Sequence, residues 1–246
     1  MSCSLVSIIM AGGLGKRMSS TCAKVLHEIN GKPMLHYVIQ NAVSVGSQHI
    51  FIVVGKYKPD IVASVVSQFS SDVVDRIVFV SQNEIVRDGN VCSLGTGDAV
   101  RSCLSHFSHY NCDENTNVLI LSGDVPVIDP LHLTTLSKMK NGMMVAEVED
   151  PTGYGRVFLN DNGELSSIVE HSLCDPTQLQ CKLVNAGIYC LSIRLLKNTI
   201  PHIHINERKK EFLLTDFYQY TDLPITCYCV PIVPKNVNTL TDLHSI

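Results

Sequence analysis

The chain has 246 residues, 45% of them hydrophobic and 17% charged, with 19 basic and 23 acidic residues giving a formal net charge of −4. That balance suits one globular domain with a substantial core. It excludes the long cationic patch that nucleic acid or an anionic membrane surface selects, and no apolar run reaches the roughly 18 residues of a membrane span. The apolar residues 5–11 lack the cationic flank and the length of a signal peptide. Ten scattered cysteines read as reduced thiols of a soluble, cytoplasmic protein, because a chain of this size needs no stapling. The one short-spaced pair, Cys227 and Cys229, has no partners for a tetrahedral zinc site and is read as core packing.

Residues 6–10 are apolar and largely β-branched, and form the first predicted strand. They run into "MAGGLGKRM", where three glycines precede two cations. The stretch is not a Walker loop: Met10 stands where its first glycine belongs, and Arg17 replaces the hydroxyl. A dinucleotide turn would need a small residue at Met18. What remains is a flexible turn carrying Lys16 and Arg17, with Lys24 following in "CAKVLHEINGKPM". One such cation is usually only solvated. Together with backbone N–H groups from Ala11, Gly12 and Gly13 they form a cradle suited to a polyphosphate.

Helices are predicted over 33–45 and 59–69, each opened by proline, and over 97–107. Strands fall at 50–54, 77–80 and 118–121 between them. This β-α-β-α order predicts an α/β fold with a mainly parallel sheet flanked by helices. Ligands of such sheets bind beyond the carboxyl ends of the strands. The second half alternates less, with strand patterns at 144–148, 156–159, 167–170, 183–190 and 226–232, so the sheet is expected to be mixed. The charged "NERKKE" (206–211) is read as an exposed loop, a solvated connection in preference to a lid over a ligand. The final "TLTDLHSI" is read as a docked helix.

"AGGLGKRM" followed by "AKVLHEINGKPM" resembles the opening signature of the sugar-1-phosphate nucleotidyltransferases. "LGTGDA", "LSGDVPVI", "DPTGYGRV", "IVEH", "VNAGIY", "EFLLTD" and "NVNTLTDL" then occur in the order of one branch, the uridyltransferase (pyrophosphorylase) domain of bacterial N-acetylglucosamine-1-phosphate uridyltransferase. The resemblance spans nearly the whole chain, and "DPTGYGR" with "IVEH" is its most specific part. It implies a Rossmann-like nucleotidyltransferase fold in a single domain over 1–246. It also implies that the left-handed β-helix acetyltransferase domain of the bacterial enzyme is missing, since no hexapeptide repeats occur.

The implied reaction joins UTP and N-acetylglucosamine 1-phosphate to give UDP-N-acetylglucosamine and pyrophosphate, with Mg2+ as cofactor. Its nucleophile is already anionic, which agrees with the lack of any Ser-His-Asp or paired-acid constellation. By the resemblance, Arg17 and Lys24 contact the triphosphate and are the catalytic candidates, while Asp124 and Asn238 are the metal ligands. Met10, Ala11, Gly12 and Gly13 form the nucleotide turn. Gln82, Gly95 and Thr96 read the base, with fixed backbone groups near Gly95 deciding between uracil and cytosine, because a glutamine amide can flip. Ser122 and Gly123, just before the metal ligand, are further substrate contacts. Gly155 through its backbone, Glu170 and Asn185 read the sugar.

Four departures from the branch stand out. Lys16 occupies a position where relatives carry a small hydroxyl residue. Residues 83–94 form an insertion over the base or toward a partner. Ser122 replaces a tyrosine, and Asp98 replaces a histidine and is read as a helix cap. They keep two further readings open: a nucleotidyltransferase for another sugar 1-phosphate or nucleotide, and a non-catalytic sugar-nucleotide sensor. For assembly, a homodimer and a monomer both stay open.

Overall fold

The computed structural model describes residues 4–13, 22–87 and 89–244. Its elements are, in chain order, β1 (Leu5–Met10), the hairpin β2 (Glu28–Ile29) and β3 (Lys32–Pro33), α1 (Met34–Ser44), β4 (His49–Val54), α2 (Lys58–Gln68), α3 (Ser71–Val74) and β5 (Ile77–Ser81). There follow the hairpin β6 (Glu84–Arg87) and β7 (Asn90–Ser93), α4 (Thr96–Cys103), β8 (Asn117–Ser122), α5 (Pro130–Ser137), β9 (Gly142–Glu147), β10 (Arg156–Leu159) and β11 (Leu165–Val169). The chain continues through β12 (Leu183–Ser192), α6 (Ile193–Thr199), the hairpin β13 (Ile205–Asn206) and β14 (Glu211–Phe212), β15 (Thr226–Val230) and α7 (Leu240–His244).

Nine strands form one mixed sheet, in the order β11-β10-β12-β8-β1-β4-β5, with β9 beside β12 and β15 beside β9. β1 lies parallel to both β4 and β8, and β4 parallel to β5. Met10 stands opposite Val53 and Ser122, so the carboxyl ends of these strands arrive together at one edge. β12 runs antiparallel to β8, β9 and β10, which makes the sheet mixed where the helical rhythm of the sequence fails.

Strand alternation divides the core into two layers. Val6, Ile8, Phe51, Val53 and Ile120 face one side, covered by α4, α6 and the 3-10 turn at Leu214–Tyr220. Ile9, Ile50, Ile52, Leu119 and Leu121 face the other, covered by α1, α2 and α5. Among the described residues no helix is long and apolar enough to cross a membrane.

Several boundaries shift from their expected places. Pro33 is extended at φ −52°, ψ 139° and precedes α1 instead of opening it, because it still belongs to the β2–β3 hairpin. Pro59 does sit in the first turn of α2. α4 stops at Cys103, and the chain tightens into a 3-10 turn at Phe107–Tyr110 that lets Phe107 and Tyr110 both pack edge-on against Phe51. Cys227 is only half-buried and Cys229 is exposed, since β15 pairs with a single strand at the margin of the sheet; the buried thiols among the described residues are Cys103, Cys112 and Cys190.

Of residues 206–211, 207–210 form the exposed turn of the β13–β14 hairpin while Asn206 and Glu211 pair at its base, and the Asn206 side chain closes it by accepting from the N–H groups of Arg208 and Lys209. The insertion becomes the β6–β7 hairpin. α7 docks through Leu243 against Ile29, Met34 and Val237.

Phe51 is wholly buried at the centre of the first layer. Phe51→Ala should therefore cost about 3–5 kcal/mol of stability, read as a lower denaturation midpoint with an unchanged slope.

Candidate active site

Two cavities open at the carboxyl edge of the sheet. The first, of about 400 Å³, is lined by Gly12, Gly13, Lys24, Gln82, Gly95 and Asp124 among others. The second, of about 480 Å³, is lined by Tyr154, Gly155, Glu170, Asn185, Thr215 and Asp242 among others. Met10, Thr96, Ser122 and Asn238 line both, so they form the ridge across which the two spaces communicate.

At this ridge the Lys24 ammonium donates to Asp124 Oδ2 at 2.5 Å and to Asn238 Oδ1 at 2.9 Å. Ser122 Oγ donates to Asp124 Oδ1 at 2.7 Å and fixes the carboxylate's rotation. Val237 N–H donates to the Asp124 carbonyl at 2.9 Å, tying the distant 236–239 segment to the end of β8. Asp242 completes the anchor: its Oδ2 accepts from the N–H groups of Asn238 and Thr239, both at 2.8 Å, while Thr239 Oγ1 accepts from Asp242 N–H at 3.1 Å. This reciprocal capping box starts α7 and holds Asn238 in place.

In the first cavity Gln82 extends from the end of β5. Its N–H reaches the Val54 carbonyl at 2.9 Å, and its Nε2 donates to the Gly95 carbonyl at 2.8 Å. Gly95 has φ +98°, and a methyl group there would lie 2.6 Å from the Phe212 carbonyl oxygen, so only glycine fits. The Thr96 hydroxyl accepts from Leu214 N–H at 3.0 Å, which pins the 211–215 segment over the cavity mouth. The β6–β7 hairpin is fastened by Glu84 accepting from Lys56 N–H at 2.8 Å, and by Arg87 donating to the Lys210 carbonyl. Ser93 and Glu211 thereby join the wall.

In the second cavity Glu170 Oε1 accepts from the Thr215 hydroxyl at 3.0 Å. A bulge in β12 between Asn185 and Tyr189, with Gly187 at φ +72°, turns the strand along the cavity wall. Asn185 Oδ1 accepts from Gly187 N–H at 2.9 Å and its Nδ2 donates to the buried Tyr189 hydroxyl at 2.6 Å. Burial pushes the Tyr189 phenol up, so it stays neutral. Burial, and after it the charge of Glu170, raises the Asp216 carboxyl. Fully buried Arg156 donates to the carbonyls of Pro151 (2.6 Å) and Tyr154, shaping the turn that carries Gly155.

Met10, Gly12, Gly13, Lys24, Gln82, Gly95, Thr96, Ser122, Asp124 and Asn238 thus gather around the first cavity, and Gly155, Glu170 and Asn185 around the second. Two expectations are corrected. Ala11 is buried and its N–H is spent on the Val53 carbonyl at 2.8 Å, so it is no free donor of the phosphate cradle. Gly123 likewise spends its N–H on the Met10 carbonyl, and a methyl group there would meet Val25 at 2.9 Å, so its smallness serves packing. The Gly95 carbonyl is taken by Gln82 and Ala99 N–H, and the Gly155 carbonyl by Asn185 N–H. Lys16 and Arg17 lie outside the described residues. Thr215, Tyr154 and Asp242 were not singled out, although each lies within a motif read from the sequence.

The carboxyl edge of the parallel strands thus carries paired cavities, joined at a point where one cation meets a carboxylate and an amide oxygen, on an α/β scaffold. The chain belongs to the nucleotidyl transferase family, whose profile matches residues 6–222. It is 35% identical over 235 residues to a protein of Acanthamoeba polyphaga mimivirus described as a probable UDP-N-acetylglucosamine pyrophosphorylase, covering 93% of this chain and 86% of that one. It is 36% identical over 212 residues to the bifunctional protein GlmU of Neisseria meningitidis (strain FAM18), covering 85% of this chain and spanning 42% of the relative's length.

Among solved structures, a Bacillus anthracis protein described as a glucose-1-phosphate thymidylyltransferase, in complex with sucrose, superposes with a TM-score of 0.75 at 18% identity, over 98% of this chain and 93% of its own. HddC from Yersinia pseudotuberculosis, complexed with GMP-PN, gives 0.67 at 20% identity, over 97% and 96%. These two likenesses concern the fold.

The N–H groups that cap Asp242, that of Asn238 first, hold its carboxyl below the usual carboxylate range. A lowered folded value stabilises above the ordinary range and is lost as the pH falls through it. Asp242→Ala should therefore cost about 1 kcal/mol at pH 7, a difference that shrinks as denaturation is repeated toward and below the carboxylate range.

Proposed function

We propose that this chain transfers UMP from UTP to N-acetylglucosamine 1-phosphate, giving UDP-N-acetylglucosamine and pyrophosphate. The observation that carries this reading is the Lys24–Asp124–Asn238 cluster on the ridge between the cavities. The nucleotide would occupy the first cavity, with its base toward Gln82, and the sugar the second, against Glu170, Asn185 and Gly155. Their phosphates would then meet at Met10, Ser122 and Asn238. The description of the mimivirus relative as a probable UDP-N-acetylglucosamine pyrophosphorylase supports the same reading.

A phosphate oxygen of the sugar phosphate attacks the α-phosphorus of the nucleotide; the bond from the α-phosphorus to the bridging oxygen breaks, and pyrophosphate leaves. The nucleophile carries its own charge, so no general base is needed, and the chain's task is alignment and charge neutralisation. Lys24 supplies one positive charge beside the reacting phosphates, and Arg17 is proposed as a second. Glu170 accepts from sugar hydroxyls with an orientation fixed by Thr215. Asn185, with one N–H and part of Oδ1 already committed, offers its second N–H and a remaining lone pair to the acetamido side.

The residues at the ridge fit magnesium. Asp124 and Asn238 contribute hard oxygen donors that already converge on one cation, the Lys24 ammonium, and magnesium takes its remaining ligands from phosphates and water. When bound there, the ion supplies further neutralisation of phosphate charge.

A second reading, the same transfer with another sugar 1-phosphate, is favoured by Ser122, whose small side chain on the ridge leaves room beside the second cavity. Pyrophosphate release measured for four nucleotides against several sugar phosphates separates the two. UTP with N-acetylglucosamine 1-phosphate should be the preferred pair, and a clear preference for glucose 1-phosphate would reject it. Asp124→Ala should lower turnover by about two to three orders of magnitude with an unchanged circular dichroism spectrum, and chelator should abolish wild-type release. Normal turnover in that variant would remove the metal assignment.

A further inference from the structure

Arg156 is the largest fully buried side chain among the described residues, at 1% exposure. Buried charges are ordinarily paired with an opposite charge, because removing them from water is costly. No carboxylate forms an ion pair with Arg156 among the described residues, whose salt bridges are Lys24–Asp124 and Lys182–Glu149. Its Nη1 donates instead to the carbonyls of Pro151, at 2.6 Å, and Tyr154, and its Nη2 donates to His171 Nδ1 at 3.3 Å. Nε has no partner among the described residues. A guanidinium carries only donors, so Nδ1 is the accepting nitrogen of His171.

The strand register relates these acceptors to the second cavity. Arg156 stands opposite Val169 of β11 and Val184 of β12, so the next row of the sheet holds Gly155, Glu170 and Asn185. All three line the cavity. Asn185 is fastened to this row by its N–H, which donates to the Gly155 carbonyl at 2.9 Å. Glu170 lies one residue beyond Val169, the last paired residue of β11, where the chain enters the 3-10 turn at His171–Leu173. Pro151 and Tyr154 belong to the turn that leads into Gly155, and His171 follows Glu170 directly. One guanidinium therefore joins the two segments past the point where the strand ladder holds them. Its planar fork suits separated acceptors, whereas the donors of a lysine radiate from a single point.

We propose that Arg156 is a positioning residue for the sugar: its fork sets the separation of Gly155 from Glu170, and so the fit of a pyranose ring against them. A misplacement of about 1 Å weakens several contacts of a bound ligand at once. This inference rests on the reading of the second cavity as the sugar site. It also accounts for a buried charge met by carbonyls and an imidazole, because an apolar side chain of similar volume would spare the fold the desolvation cost.

Calorimetric binding of UDP-N-acetylglucosamine and of UDP reads the two cavities apart: the ratio of affinities isolates the sugar, and UDP alone reports the nucleotide. In Arg156→Lys, which keeps the charge and loses the fork, the ratio should fall about tenfold while UDP affinity stays within about twofold. If that variant does not fold, His171→Phe decides instead, since it removes the acceptor beside Glu170 and should lower the same ratio. An equal loss of affinity for both ligands would make Arg156 a general prop of the fold and overturn the inference. So would an unchanged ratio in the deciding variant while Glu170→Gln lowers it. A ratio that Glu170→Gln also leaves unchanged would place the sugar outside the second cavity, rejecting that reading and the inference with it.

Discussion

The arrangement depends on one charge-sharing contact, the Lys24 ammonium held between Asp124 from the end of β8 and Asn238 from a segment more than a hundred residues further along the chain. A carboxylate at a sheet edge and an amide from so far away converge only because the fold fixes both. Parallel β1 and β8 bring Met10 and Ser122 side by side, Ser122 turns the Asp124 carboxylate, and Asp242 caps the backbone around Asn238. With these in place, two cavities of similar size share a wall built of four residues. The proposed reaction needs such a wall, since each substrate must bind separately and yet present its phosphate to the other.

The first half of the fold was legible because its strands and helices obey distinct periods. Strands of five or six apolar residues between amphipathic helices leave a parallel sheet as the natural solution, and the glycine turn after β1 marks the ligand edge. The second half was legible only as a list of strands. Apolar pattern announces neither their antiparallel pairing around β12 nor the bulge that interrupts it at Gly187. Cys227 and Cys229 show a similar limit: two-residue spacing identifies a shared face, but whether anything covers that face is decided by neighbours distant in sequence.

The candidate site was legible residue by residue where motifs carried it, and less so where backbone bookkeeping intervenes. Ala11 and Gly123 stand in the right motifs, yet their N–H groups are consumed by the sheet and by the adjoining strand end. Near Gly95, where fixed backbone groups were expected to read the base, the carbonyl is taken up by the Gln82 side chain and Ala99 N–H. Thr215 and Asp242 escaped notice because their role is to orient Glu170 and Asn238, a service visible only when both ends of the contact are in place. The insertion at 83–94 was readable as extra chain; that it would fold into a hairpin fastened to Lys56 and Lys210 was not.

The most direct measurement of the central claim is a crystal structure of the chain with UDP-N-acetylglucosamine and magnesium. The account predicts uracil beside Gln82, the sugar beside Glu170 and Asn185, and the diphosphate crossing the Met10–Ser122 ridge, with Asp124 and Asn238 on one ion and Lys24 released to the phosphates. A ligand lodged outside these two cavities, or an ion touching neither Asp124 nor Asn238, would contradict it.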